Sequence, residues 1–334
     1  MPVALDAMGG DFGPEVLVEG AIQAAMEYGV QTILVGDEPI LRALLKKRCN
    51  GTSMLEVVHA GQVVGMNEAP SDALRKKRDS TIQVAFDLIK NGMASACVSA
   101  GNSGATMASA LFSLGRIKGV RPAIATVMPT LKTPVVLIDV GANVDCKPIH
   151  LYQFAVMGHV FSREHLKKDS PTIGLLSIGE EDTKGNVQVK KAYDMLQESR
   201  LNFLGNVEGR DIFKGDVDVV VCDGFVGNIC LKLSEGLAES ILMMLKQEIE
   251  SSPVAKLGYV LASKSFKKFK KKVDYAEYGG APLLGVKGIA IICHGRSRAK
   301  AIKNAIRVAD ELARMNLHQH LEASLTEIEL ERAK

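Results

Sequence analysis

The chain has 334 residues, 47% of them hydrophobic and 5% aromatic, with no tryptophan, which suits a large Ala/Val/Ile/Leu-packed α/β core better than a β-sandwich or a disordered chain. Its length exceeds the size at which single cores usually stop growing, so two lobes are expected. A net charge of +3 is too small to argue for a nucleic-acid partner, and none is expected.

At the amino end, MPVALDAMGG enters a strand-like run without the basic and long apolar regions of a secretory signal. No stretch of 18 apolar residues follows, so a cytoplasmic chain without an ordinary transmembrane helix is expected. Buried-strand patterns occur at 3–5, 32–35, 55–58, 96–99, 124–128, 135–140, 172–177, 217–222 and 289–293. Their near-continuous hydrophobicity predicts strands covered on both faces. Helical patterns lie between them. Pro14 suits a first turn closed by Gly29, and Ser80 with Gln83 forms a capping-box pattern ahead of Ile82, Ala85, Phe86 and Ile89, ended by Gly92. Further helices are expected over 105–114, 187–197 and 297–315. This alternation predicts an α/β fold with a largely parallel sheet. No repeat or long linker divides the chain, so residues 1–334 are expected to form one two-lobed unit. The rhythm breaks at 228–273, where Asn228 opens a long helical pattern through Leu233, Leu237, Ile241, Met244 and Leu245. A second helix is expected over 253–269, and KSFKKFKKKV ends the excursion as the most basic segment of the chain.

Five apolar runs stop in polar, glycine-bearing loops: DAMGGD (6–11), SAGNSGAT (99–106), DVGAN (139–143), SIGEEDTKGN (177–186) and CDGFVGN (222–228). Ligands of open α/β sheets sit beyond the carboxyl ends of strands, so these loops are expected to converge on one site for an anionic substrate. Gly101, Asn102, Ser103 and Gly104 precede a helix and suit either anion binding through backbone N–H groups or ordinary capping. Lys184, Arg296 and Arg298 stand at helix starts, where a cation opposes the dipole unless an anion lies between. Alternatively, Glu180, Glu181 and Asp182 neutralise Lys184 and the arginines point into water. Asn228 suits an N-cap or a donor to a substrate carbonyl. His294 suits a structural histidine or a ligand contact equally. Asp6, Asp11, Asp139 and Asp223 sit one per loop with no histidine at ligand spacing, which favours loop-pinning hydrogen bonds over a metal site. Six cysteines, at 49, 97, 146, 222, 230 and 293, form no C-x-x-C pair and are expected as reduced, mostly core thiols. Neither a Walker A sequence, a complete G-x-G-x-x-G nor a G-x-S-x-G elbow is present, so direct attack of one bound substrate on another is favoured over a covalent Ser or Cys route.

These loops, with LLSIGEEDTKGN, VVVCDGFVGN, YGGAPLLGVKG (278–288) and CHGRS (293–297), resemble the acyl-ACP:phosphate acyltransferases (PlsX) of bacterial phospholipid synthesis, in order and from residue 2 to about 315. The tail HLEASLTEIELERAK goes beyond the match. The resemblance implies a two-lobed α/β/α sandwich of the isopropylmalate dehydrogenase/phosphotransacetylase type with a mixed, largely parallel sheet. It implies conversion of fatty acyl-ACP and inorganic phosphate to acyl phosphate and free ACP, with no cofactor, by a homodimer. It also implies Lys184 and Asn228 as the catalytic pair, in their TKGN and VGN motifs. Asp6, Gly9, Gly10, Gly101, Asn102, Ser103, Gly104, Asn143, Asp223, His294 and Arg296 are the expected substrate-binding positions.

One lysine and neutral donors suit a phosphate that must stay nucleophilic, and an asparagine amide suits a developing oxyanion. Lys264, Lys267, Lys268, Lys270 and Lys271 suit docking of the acidic acyl carrier protein. Together with Leu257, Leu261, Phe266 and Phe269 they also suit peripheral contact with an anionic membrane, where acyl phosphate would pass to a membrane glycerol-phosphate acyltransferase. Solvated lysines above a dimer contact are the plainer reading. Two other functions compete: a nicotinamide-dependent dehydrogenase of related fold, which needs a carboxylate cluster for a metal, and a basic lipid-binding protein, which leaves the loops unexplained.

Overall fold

The computed structural model describes residues 1–48 and 53–332; Cys49 and the end of the carboxyl-terminal tail lie outside the described residues. The first parallel run is laid down by β1 (Val3–Asp6), α1 (Pro14–Tyr28), β2 (Thr32–Gly36), α2 (Glu38–Arg48), β3 (Leu55–His59), α3 (Pro70–Lys76), α4 (Thr81–Lys90), β4 (Ala96–Ser99) and α5 (Ser103–Ser113). The chain then crosses to β5 (Ala123–Met128), β6 (Val135–Ile138), α6 (Pro148–His165), β7 (Ile173–Leu176), α7 (Val187–Gln197), β8 (Phe203–Val207) and β9 (Val219–Val221). Three helices follow, α8 (Gly224–Ser251), α9 (Pro253–Leu261) and α10 (Ser263–Val273), before β10 (Ala281–Leu284), β11 (Ile289–Ile292), α11 (Ala299–Arg314) and α12 (Leu317–Arg332).

The eleven strands among the described residues form one sheet in the order β3-β2-β1-β4-β11-β10-β5-β6-β9-β7-β8. β3, β2, β1, β4 and β11 are mutually parallel, as are β6, β9, β7 and β8. Between these runs, β10 and β5 are each antiparallel to both neighbours. The two parallel runs therefore point in opposite directions.

The pleat sends successive side chains to opposite faces. Val3 and Leu5 of β1 enter a core roofed by α1, α2, α6, α7, α11 and α12, through Leu17, Leu41, Phe154, Leu196, Ile302 and Leu317. Ala4 enters the other core, roofed by α3, α4 and α5 through Ala73, Phe86 and Ala105. Three layers, α/β/α, result, and the central strands are covered on both faces as the continuous apolar runs predict; β3, expected as a buried strand over 55–58, lies instead at the sheet edge with only Leu55 buried.

Two strands have no counterpart in the sequence pattern. β8 is an edge strand interrupted by Gly205, and its first residues are partly exposed, so it lacks a continuous apolar run. β10 follows two glycines at positive φ and contains Pro282. The expected helix over 253–269 is two helices, because Ala262 (φ −91°, ψ 10°) closes α9. The helix expected to open at Asn228 begins four residues earlier, since Asp223 Oδ1 accepts from the Phe225 and Val226 N–H groups at 3.0 and 2.9 Å and caps α8. The capping box at Ser80 is half formed. Ser80 Oγ accepts from Gln83 N at 3.4 Å, but the Gln83 amide donates to Ser113 and Asp87.

In α8 only Gly224 and Gly227 are buried, and none of α9 or α10 is. Its root depends on those glycines: a Cβ on Gly227 would overlap the backbone carbonyl oxygen of Asp139, and one on Gly224 would lie 2.8 Å from Asn143 N. Backbone atoms cannot yield as a flexible side-chain tip can. Gly227→Ala is expected to destabilise the fold by about 2 to 3 kcal/mol, measured by denaturant unfolding; a variant as stable as the parent chain would show that α8 does not depend on this close approach.

Candidate functional site

The reversed strand directions divide the five loops instead of gathering them at one sheet edge. DAMGGD and SAGNSGAT follow β1 and β4, and CHGRS follows β11, at the carboxyl edge of the first run. DVGAN, SIGEEDTKGN and CDGFVGN follow β6, β7 and β9 at the opposite edge.

At the first edge Asp6 is fully buried, and its carboxylate accepts from Ser99 Oγ at 2.8 Å. Burial raises its pKa above the usual carboxylate range, against the hydrogen bonds it accepts. Gly9 and Gly101 stack over it; a Cβ on Gly9 would sit 2.6 Å from Asp6 Oδ2 and 2.9 Å from Gly101 N. Gly10 has φ 89°, and the next residue, Asp11, donates its N–H to Gly295 O at 2.8 Å, joining this loop to CHGRS. Asn102 caps α5 by accepting from Ala105 N at 3.0 Å, and its Nδ2 is shared among the carbonyls of Gly65, Met66 and Glu68. Its amide therefore clamps the 65–68 loop over the α5 amino end, and Pro70 covers Gly104. Ser103 is exposed beside them.

At the second edge Asp139 is the hub. Its Oδ1 accepts from the N–H groups of Ile124, Gly141 and Ala142 at 3.0, 3.1 and 3.0 Å. Its Oδ2 accepts from Asn143 N and Nδ2 at 2.7 and 2.9 Å. Burial raises its pKa, and these donors oppose the shift. Asn143 is equally engaged: Nδ2 also donates to Pro122 O at 2.7 Å, Oδ1 accepts from Arg121 Nε at 2.6 Å, and its backbone carbonyl accepts from Gly224 N at 2.7 Å. Asp6, Asp139 and Asp223 are thus loop-pinning carboxylates.

Lys184 and Asn228 differ from these. Asn228 lies in the second turn of α8, half-buried beside Gly141, and its amide has no hydrogen-bond partner among the described residues. Lys184 is exposed in the turn before α7, whose cap is Asn186 Oδ1 accepting from Gln188 N and Val189 N. It forms no salt bridge with Glu180, Glu181 or Asp182; Glu180 approaches Arg210 instead, at 3.9 Å.

The helix α8 reaches across to the first edge. Asn228, Lys232, Glu235 and Glu239 follow one another at helical spacing on one face. The last three, with Gly236, meet Phe12, His294, Arg296 and Arg298 around a cavity of about 290 Å³. Arg296 N donates to His294 Nδ1 at 3.1 Å, which leaves Nε2 as the free ring nitrogen, and the Arg298 guanidinium lies 4.8 Å over the Phe12 ring. Among the described residues no salt bridge joins any of these cations to Glu235 or Glu239. Burial raises the Glu235 pKa, partly offset by His294 and Lys232. Neither Lys184 nor Asn228 lines the cavity. Lys232, Glu235 and Glu239 are absent from the sequence-based site; their spacing from Asn228 on one helix is the signal that could have found them. Lys264, Lys267, Lys268, Lys270 and Lys271 are all exposed on α10, outside this cavity. No group of three or more metal-binding side chains occurs among the described residues.

A family model described as fatty acid synthesis protein matches residues 1–320. A phosphate acyltransferase of Geotalea uraniireducens is 57% identical over 329 residues, covering 98% of this chain and 95% of that protein. Among solved structures, a phosphotransacetylase from Streptococcus pyogenes aligns with a TM-score of 0.62 at 19% identity, over 94% of each chain. A 4-hydroxythreonine-4-phosphate dehydrogenase from Klebsiella pneumoniae aligns with a TM-score of 0.54 at 15% identity, over 93% of this chain and 99% of the other. The two solved structures share the fold, while the family match and the close relative extend over nearly the whole sequence; the chain belongs to the fatty acid synthesis protein family that includes the phosphate acyltransferases.

Proposed function

We propose that this chain transfers a fatty acyl group from the thioester of acyl carrier protein to inorganic phosphate, releasing acyl phosphate and the free carrier. Family membership supports phosphate acyl transfer. The observation that carries the reading to residues is the division of polar groups: the buried aspartates, Asn102 and Asn143 are saturated by loop contacts, whereas Lys184, Asn228, His294 and Arg296 keep unused donors. Such donors suit an anionic nucleophile and a carbonyl that gains negative charge.

In this reading His294 and Arg296 hold phosphate, the Asn228 amide polarises the thioester carbonyl, and Lys184 neutralises charge between the reactants. Phosphate oxygen attacks the carbonyl carbon, the C–S bond breaks, and sulfur leaves with the electron pair. Cysteine nucleophiles are disfavoured, because burial raises the Cys97 and Cys222 thiols well above their usual pKa and pushes Cys293 and Cys146 up to about 12. The substrate-binding roles of Gly9, Gly10, Gly101 and Gly104 are backbone roles, with Ser103 as an exposed hydroxyl beside them.

The homodimer belongs to this proposal. Ile229, Leu233, Leu237, Ile241 and Met244 form an exposed apolar stripe along α8, and a second copy would cover it. The lysines of α10, beside exposed Leu257, Val260 and Leu261 of α9, would receive the acidic carrier or rest on an anionic membrane surface, from which acyl phosphate passes to a membrane glycerol-phosphate acyltransferase. No described helix is long and apolar enough to cross a membrane, which is compatible with a cytoplasmic enzyme making peripheral contact.

Purified protein given acyl carrier thioester is expected to release carrier thiol only when phosphate is added; release without phosphate, or none with it, rejects the proposal. Asn228→Ala and Lys184→Ala should each lower turnover by roughly 10²- to 10³-fold without changing the unfolding midpoint, and full turnover in either variant removes that residue from the chemistry. Charge reversal at Lys267, Lys268, Lys270 and Lys271 should weaken carrier or anionic-vesicle binding at low salt, measured by titration and co-sedimentation. Leu233→Glu combined with Leu237→Glu should shift sedimentation toward the monomer; an unchanged coefficient places any dimer contact elsewhere.

A further inference from the structure

The cavity between α8 and the CHGRS loop presents an electrostatic puzzle. In place of the single lysine and neutral donors expected from sequence, three cationic side chains and His294 line the cavity and attract a phosphate dianion, yet Glu235 lies half-buried among them with no salt bridge to Lys232, His294, Arg296 or Arg298. A bare carboxylate beside a phosphate dianion is repulsive, and the repulsion is relieved when one proton lies between the two oxygens. Hydrogen phosphate carries such a proton. A carboxylate is an acceptor without a proton of its own, so it reads a P–OH group directly.

We infer that Glu235 recognises the proton of the phosphate nucleophile, its carboxylate accepting a hydrogen bond from the P–OH of hydrogen phosphate held by Lys232, His294, Arg296 and Arg298, and that it takes this proton as the acyl group is transferred. This rests on the proposed phosphate acyl transfer. Glu235 fits the role better than Glu239, which is exposed. Burial also raises the Glu235 pKa, so the side chain holds a proton more readily than an ordinary glutamate.

The step balances. An unprotonated oxygen of hydrogen phosphate attacks the carbonyl carbon and forms the new C–O bond. The C–S bond breaks and its electron pair stays on sulfur. Acylation makes the remaining P–OH more acidic, and its proton passes to Glu235, leaving acyl phosphate dianion. Glu235 returns that proton to solvent and the thiolate takes one from solvent, so no net proton is consumed. Sulfate, which carries no proton at neutral pH, meets the Glu235 carboxylate without a donor and is rejected.

The test compares the parent protein with Glu235→Gln and Glu235→Asp, reading phosphate and sulfate binding by calorimetry alongside thiol release from acyl carrier. Glutamine keeps the size and replaces the acceptor-only carboxylate with an amide that donates. Glu235→Gln is expected to bind phosphate about tenfold more weakly and sulfate about tenfold more tightly, to raise KM for phosphate, and to leave KM for acyl carrier unchanged. Glu235→Asp, which keeps a carboxylate, should still reject sulfate. Unchanged phosphate and sulfate binding in Glu235→Gln overturns the assignment while phosphate-dependent release by the parent protein leaves the proposed function standing. Absence of phosphate-dependent release by the parent protein overturns both.

Discussion

The fold's polar architecture hangs on the Asp139 carboxylate. Five hydrogen bonds from Ile124, Gly141, Ala142 and Asn143 converge on its two oxygens, and the same residue offers its backbone carbonyl as the seat for Gly227. A buried carboxylate is costly unless its oxygens are satisfied, so this cluster favours one loop conformation strongly over its neighbours. The direction of α8 follows from that loop through Gly224 and Gly227, and the position of Asn228 follows from α8.

Polar residues in the loops fall into two groups that residue type alone does not separate. Asn102, Asn143 and Asn228 carry the same amide, but the first two are enclosed by carbonyls and backbone N–H groups, whereas the third has none. A saturated amide holds loops, and an unsaturated one is free to meet a substrate. The aspartates are sorted the same way: Asp139 and Asp223 accept backbone N–H groups of their own loops, and Asp6 accepts from the Ser99 hydroxyl of the neighbouring SAGNSGAT loop.

The central strands could be read from sequence because burial on both faces favours small and aliphatic side chains at nearly every position, as in β2, β4 and β6. β10 could not, because its Ala-Pro-Leu-Leu segment is short and carries a residue unsuited to a central strand. That omission mattered: without β10 the reversal between the two parallel runs is invisible, and the five loops look like neighbours on one edge. Helix ends were readable where a cap dominates, as at Gly29 (φ 66°), and misplaced at the start of α8, where both Asp223 and Asn228 could cap and Asp223 does. Lys184 and Asn228 stood out as polar residues at expected helix starts, and the resemblance supplied their pairing. Glu235 did not, because a glutamate on an exposed helix is ordinary until tertiary structure places it against His294.

The helix α8 has 28 residues, so it extends roughly 42 Å, and within one copy of the chain its buried positions, Gly224 and Gly227, both lie in its first turn. A rod held at one end is a lever. Tilting it about the Asp139 junction by a few degrees would carry its far end by several ångströms, while Asn228, close to the fulcrum, would hardly move. Glu235 lies farther out and would swing measurably toward or away from His294. On this geometry a force on the lysine-bearing arm would alter the width of the cavity more than the position of the amide at its root.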